Sequence, residues 1–246
     1  MEFNQEKREN FEVVDIFPLA FYKGKVSCHD KIRDSHLEDI KVHVENCNLN
    51  GFPGMSFHTL KRFDILFDSL KENFNQYLSV LGVDHTKVSY HVVRSSGDIK
   101  APDSDHVADI NENRYDIDFS TPSHPHWHNH SDFTFVYYFS ADETSDAIYI
   151  ENCFGNQNDF DGTLLQMGRS DNIMTQWNRY NSKHHIYNPE EGSVIIHPSR
   201  LYHYTRRVGK RMKDRIVIGG DVKVTSNIDG TKQMQISPHP SFWREV

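Results

Sequence analysis

Apolar positions recur along this chain with two different periods. From Phe57 to Leu81, the residues Phe63, Leu66, Leu70, Phe74, Tyr77 and Leu81 return every three or four positions. That spacing predicts one face of an amphipathic helix that packs on a sheet, with Gly82 as its stop. Elsewhere the apolar residues fall in short runs rich in Val, Ile, Phe and Tyr: 11–18 (closed by Pro18), 88–94, 133–139, 147–151, 193–197, 201–205 and 215–224. Such runs, mostly separated by turn residues, predict strands. Many short strands with one long helix, rather than alternating strand and helix, predict a mainly β fold, an antiparallel sandwich or jelly roll.

Three stretches stand outside this pattern. Residues 24–55 are mixed and polar, with Gly51, Pro53 and Gly54 marking a turn. Residues 95–122 are acidic and broken by Gly97, Pro102 and Pro122, which predicts a long loop with short strand pieces. Residues 152–191 are polar, with Arg169, Trp177, Arg179 and Tyr180 interspersed, and do not fit a strand ladder. A stretch that long between strands is usually functional or mobile. The chain shows no internal repeat and no Gly-rich phosphate loop. One domain over 1–246 is the simplest organisation, with an N-terminal strand and supporting helix in 1–95, a jelly-roll core in 96–224 and a tail in 225–246.

Composition narrows the function. The 246 residues carry 27 Lys and Arg against 35 Asp and Glu, a net charge of −8, which argues against nucleic acid as the partner. No apolar run approaches the roughly 20 residues that span a bilayer, and the polar start does not read as a signal peptide. Three cysteines without a Cys-x-x-Cys pair point to a reducing, cytoplasmic setting with no disulfide framework. Aromatic residues at 12% argue against disorder.

The 16 histidines are the outstanding feature, and the densest group lies in Ser123-His124-Pro125-His126-Trp127-His128-Asn129-His130-Ser131-Asp132, directly before the strand at 133–139. In extended chain, residues i and i+2 share a face, so His126, His128 and His130 can line one side, followed by Asp132. Imidazoles and a carboxylate on one face make a divalent-metal site, and two histidines with one carboxylate point to non-haem Fe(II). A further histidine must come from elsewhere. His203 is the best candidate, since the strand at 193–197 ends at Pro198-Ser199 and a short turn delivers it. Arg215 then opens an apolar strand, where a guanidinium is costly unless it meets an anion. A dicarboxylate co-substrate would supply one through a bidentate pair, and an ion pair with an Asp or Glu is the structural alternative. His184 and His185 read as solvated. Trp127 and Trp177 could stack on substrate, but aromatic residues more often pack in a core.

These residues together resemble the Fe(II)/2-oxoglutarate-dependent oxygenases of the double-stranded β-helix fold, whose signature is His-x-Asp/Glu, a distal His and a following Arg. The subgroup resemblance, to bacterial and phage oxygenases of this type, rests on the His-rich segment running into Phe133–Phe139 and on Glu191–Tyr204 followed by Arg215–Gly220. It implies a cupin-like jelly roll and a dioxygenase with hydroxylation as the default outcome, decarboxylation of 2-oxoglutarate being coupled to C–H oxidation. It further implies Fe(II), 2-oxoglutarate and O2 as cofactor and co-substrates. His130, Asp132 and His203 would hold the metal, with His128 or His126 as alternative ligands. Arg215 would anchor 2-oxoglutarate, with Tyr138 or Thr134 as second anchor. One departure is His197, which stands where relatives usually have Phe. The substrate is open among amino acids, peptides and small metabolites, and the oligomeric state, a homodimer included, is also open. The clustered histidines and the later His203 segment resemble the two cupin metal motifs as well. That leaves a 2-oxoglutarate-independent cupin, either a dioxygenase or isomerase or a non-catalytic binding module, as the alternative.

Overall fold

The computed structural model describes residues 7–8, 11–12, 19–49, 57–103, 125–151, 184–206 and 210–227. Two short strands, β1 (Lys7–Arg8) and β2 (Phe11–Glu12), pair with each other. The rest of the expected strand at 11–18 lies outside the described residues. The main sheet has five antiparallel strands in the order β3 (Tyr22–Lys25), β8 (Ser193–Pro198), β5 (Phe133–Ser140), β10 (Arg215–Ser226) and β4 (Val88–Lys100). A smaller sheet has three, in the order β7 (His184–Tyr187), β6 (Ala147–Glu151) and β9 (His203–Arg206). Two facing antiparallel sheets flanked by helices are the jelly roll that the strand pattern predicts.

Alternation along β5 shows how the layers form. Phe133, Phe135, Tyr137 and Phe139 point to one face and join the larger core, against Leu66, Leu70, Phe74 and Tyr77 of helix α2 (Asp64–Val80). Tyr138 points to the other face, with Val136 packed beside it, into a smaller core between the sheets that includes Ile148, Tyr187, Ile195 and Val217. The expected amphipathic helix is therefore present, its first turns being short 3-10 segments at Phe57–Thr59 and Lys61–Phe63. Gly82, with φ +75°, follows it in the left-handed region that glycine adopts freely.

Three expectations need correction. The polar stretch 24–55 contains a long helix, α1 (His29–Leu49). Its inward stripe is narrow, consisting of Ile32, Ile40 and Val44 among charged neighbours, so its apolar period is faint. Strand β4 continues six residues past Arg94 into the stretch expected to be a loop. Hydrogen bonding to β10 over its whole length outweighs the unfavourable local composition, and Gly97 admits the close approach of Val44 and Phe57. Strand β7 forms inside the stretch 152–191 by pairing with β6.

Two adjacent glycines on β10 face opposite layers. A Cβ on Gly220 would lie 2.6 Å from the Phe135 ring and 2.8 Å from the Arg94 carbonyl oxygen. A Cβ on Gly219, on the side between the sheets, would meet only the Phe135 carbonyl oxygen at 3.5 Å. Gly220→Ala should cost about 2 kcal/mol or more through overpacking, and Gly219→Ala less than about 1 kcal/mol. Denaturant unfolding of both variants checks this, and equal losses would contradict the facing assigned to the two positions.

Candidate metal centre

The site forms where two distant segments meet through the backbone. The His126 N–H donates to the His203 carbonyl oxygen and the His203 N–H donates back to His126, each at 3.0 Å. This antiparallel bridge sets the two residues opposite each other. The His128 N–H donates to the Ser199 carbonyl oxygen at 2.8 Å, which fixes the next alternate residue. As a result one ligating nitrogen from each of His126, His128 and His203 lies within 4.8 Å of the other two. The His128 and His203 rings stack 5.3 Å apart at 6°, and His126 lies 4.5 Å from His203.

Hydrogen bonds decide which nitrogen each ring offers. His203 Nδ1 is 2.8 Å from the Leu201 carbonyl oxygen, and His128 Nδ1 is 2.7 Å from Asp221 Oδ1. Both partners are acceptors, so in each neutral ring Nδ1 carries the proton and Nε2 keeps its lone pair for a metal. Burial, with His197 beside it, holds the pKa of His203 down at about 3, so the ring is unprotonated at neutral pH. An imidazole trio of this kind suits Fe, Zn, Cu or Ni.

The structure does not bring His130 or Asp132 to this cluster. The ladder of alternate residues requires extended chain through to Asp132, but the chain bends at Asn129–His130 and again at Asp132. His130 is exposed. The Asp132 carboxylate turns toward β10, accepting from the Val224 N–H at 2.7 Å and from Lys223 Nζ at 3.0 Å. Its backbone also joins β10 and the turn after β8, through Asp132 N–H to Val222 O and Ser199 N–H to Asp132 O. Asp132 thus ties the segment before β5 to its neighbours. His128 and His126, the alternative ligands, are the residues that converge with His203.

The buried carboxylate beside the cluster is Asp221, 7% exposed, which the sequence reading missed. Its signal was present: an aspartate placed after Gly219-Gly220 in an otherwise apolar strand must find partners if buried. Thr134 Oγ1 lies 3.2 Å and Ser131 Oγ 3.4 Å from Oδ1 of Asp221, and Arg94 Nε 3.3 Å from Oδ2. Burial pushes the Asp221 carboxyl up, but the His128 hydrogen bond and the Arg94 charge outweigh it and hold the group below its ordinary range. Thr134 therefore belongs to this network and not to the neighbourhood of Arg215.

Arg215 is 3% exposed and makes an ion pair with Asp98, Nη1 to Oδ2 at 3.1 Å. The structural alternative raised for Arg215 is thus realised. It leaves a remainder, however. Arg215 Nε and the Tyr138 hydroxyl are both buried without a well-aligned hydrogen bond, and the two side chains interact with each other, the guanidinium carbon lying 5.9 Å from the centre of the Tyr138 ring. Two orphaned donors side by side, with the open inner side of Gly219 along the same strand, fit a bound anion between the sheets. His197, fully buried and 4.7 Å from His203 ring to ring, also has an unpartnered Nε2 on this side.

Trp127 is half exposed and packs 5.3 Å from Tyr202 at the rim rather than in the core. His184 lies on β7 against Tyr149 and Tyr204. His124, Arg169, Trp177, Arg179 and Tyr180 lie outside the described residues.

Three imidazoles converge in this jelly roll, and buried cationic and phenolic side chains lie on the inner face of its main sheet. Residues 120–221 match the family model described as "Putative 2OG-Fe(II) oxygenase". This stretch is similar to that family, which the histidine, Pro-Ser and arginine spacing also resembles. No match is found among curated proteins. Similar solved structures include a prolyl-4-hydroxylase of Pseudomonas putida, with 11% identity, TM-score 0.39 and coverage of 82% of this chain and 88% of that one. HygX of Streptomyces hygroscopicus with nickel and 2-oxoglutarate bound gives 14%, 0.42, and 83% and 81%. An N-substituted L-amino acid dioxygenase of Burkholderia ambifaria gives 10%, 0.28, and 80% and 72%.

Burial holds the pKa of His197 at about 4, below the 6.5 of an unperturbed ring. With folded values below unfolded ones for His197 and His203, the unfolded chain takes up protons first as the pH falls. The metal-free protein should be most stable above pH 6.5 and lose up to roughly 1.4 kcal/mol per pH unit per histidine as the pH drops toward 4. Denaturant unfolding across that range should show this slope, reduced in His197→Phe. An unchanged slope in that variant would refute the burial argument for His197.

Proposed function

We propose that the protein is an Fe(II)- and 2-oxoglutarate-dependent dioxygenase acting as a hydroxylase. In this reading His126, His128 and His203 hold the metal, and Arg215 with Tyr138 holds the distal carboxylate of 2-oxoglutarate. The observation that carries the reading is the pairing of two features in one inter-sheet space: three converging ligand atoms, and two buried donors with no partner of their own. Iron held there would supply the redox chemistry in which 2-oxoglutarate, O2 and a C–H substrate become succinate, CO2 and the hydroxylated product.

The chain's own residues do the rest. The carbonyl oxygen of Leu201 and the carboxylate of Asp221 orient two of the imidazoles with their lone pairs inward. Ile148, Ile195 and Val217 make dry walls between the sheets, which exclude water and strengthen charge interactions inside. Arg215, positively charged and almost fully desolvated, offers the second carboxylate of a diacid a hydrogen-bonded partner, and the Tyr138 hydroxyl adds a neutral donor. The reaction class leaves the primary substrate as an amino acid, a peptide or a small metabolite. The Asp98–Arg215 ion pair favours a second reading, a cupin-type metalloprotein that uses no 2-oxoglutarate, because it accounts for part of the arginine without a ligand.

Arg215→Ala and Arg215→Lys should weaken 2-oxoglutarate binding about 100-fold or more while leaving metal affinity nearly unchanged. Calorimetry with each ligand reads the two separately, and equal loss of both would remove the anchoring role. His126→Ala, His128→Ala and His203→Ala should each abolish metal-dependent 2-oxoglutarate consumption, whereas His130→Ala should retain it. A visible charge-transfer band on anaerobic mixing with Fe(II) and 2-oxoglutarate separates the two readings, since the cupin alternative gives none.

A further inference from the structure

Three neutral imidazoles bring no negative charge to a divalent cation. Asp221 is the buried carboxylate beside them, and the manner of its placement is specific. The register of β10 against β4 slips between Asp221 and Val222, with Val93 as the extra residue on β4. Because the extra residue is on β4, β10 keeps its alternation, so Asp221 falls on the same inner face as Val217 and Gly219, with Oδ1 2.7 Å from His128 Nδ1. The hydroxyls of Ser131 and Thr134 approach the same oxygen, and Ser199 Oγ bridges them at 2.7 and 3.2 Å. Arg94, about half exposed, approaches the other oxygen. Every direction around the carboxylate that these contacts describe is polar, so both oxygens of Asp221 are engaged.

We propose that Asp221 is the carboxylate of this metal centre and that it acts through His128 rather than by binding the metal. Resting on the metal-site reading above, the inference makes Asp221 a positioning residue with two effects. Its hydrogen bond fixes His128 with Nδ1 protonated and Nε2 free. Its charge raises the basicity of that ring as a ligand, so the trio binds a cation more tightly than three unassisted imidazoles would. Asp132, the nearest carboxylate in sequence, has no such part, because both of its oxygens are committed to β10.

The test uses the full chain, freed of metal, titrated with Co(II) by calorimetry and followed by its ligand-field spectrum. Asp221→Asn should bind Co(II) about 10- to 100-fold more weakly with unchanged band positions. Asp132→Asn should bind within about threefold of the parent, with thermal unfolding as a check that both variants are folded. Histidine nitrogen NMR of the unmutated, metal-free protein should show His128 with the proton on Nδ1, a readout that does not depend on any variant folding. Parent-like affinity in Asp221→Asn, or His128 with its proton on Nε2, would overturn the proposal. Altered band positions in Asp221→Asn would make Asp221 a direct ligand, and a large loss in Asp132→Asn would return the carboxylate role to that residue. If His203→Ala leaves Co(II) affinity unaltered, the metal-site reading itself fails, a result separate from all of these.

Discussion

The reciprocal pair of backbone hydrogen bonds between His126 and His203 is the constraint on which the site depends. The two residues come from segments far apart in the chain, one leading into the main sheet and the other opening a strand of the small sheet. Cβ atoms of residues opposite one another in an antiparallel pair stand about 5 Å apart, close enough for both rings to turn their nitrogens toward one ion. The bond from His128 N–H to the Ser199 carbonyl then adds the third imidazole from the same short stretch. Few other contacts of these segments need to be accurate, because the backbone register carries the geometry.

Around that constraint the molecule separates two solvents. The face of the main sheet toward the helices is filled by Phe133, Phe135, Phe139 and their partners and is mostly apolar, with Tyr137 hydrogen-bonded to His29 and Asn73 to Tyr22 and Lys25, so it chiefly supplies stability. The face toward the small sheet mixes a few apolar walls with buried groups that lack partners, notably Arg215 Nε, Tyr138 Oη and His197 Nε2. Orphaned buried donors and acceptors are costly in a folded protein. Similar atoms occur elsewhere among the described residues, at His29 and Asn73 for example, and what marks this side is that three of them lie on the face of the main sheet that His203 packs against through His197. Asp98 offsets part of the cost at Arg215, which keeps the guanidinium in place whether or not a diacid is present.

Much of this was legible from residue patterns. The alternation in Phe133–Ser140, the run at Ser193–Pro198 and the strand from Arg215 were readable because each strand buries a face and period two survives in the sequence. Helix α2 was readable for the same reason at period 3.6, whereas α1 was not, since only Ile32, Ile40 and Val44 of its described length reach the core. His203 was singled out from the punctuation of Gly, Pro and Ser before it, and Arg215 from its place at the start of an apolar strand; in the fold His203 meets His126 and His128, and Arg215 meets Asp98. The sequence favoured His130 over His126 and His128, and the fold brings the latter two to His203 instead, because the choice depends on where the chain stops being extended. The bends at Asn129–His130 and Asp132 accompany tertiary contacts with the turn after β8 and with β10, and the turn-favouring residues Asn129, Ser131 and Asp132 allow them without fixing where the chain bends.

The order of residues along the chain therefore determined the layers, the metal-binding chemistry and the elements that carry it, since these follow from periodicity and residue type. Only the folded arrangement decided which histidines converge, which aspartate stands behind them and which donors are left unpaired. Those are questions of distance between segments that meet across two sheets. A one-residue slip in register at the bulge beside Asp221, or one bend before β5, exchanges the residues that face inward for those that face out.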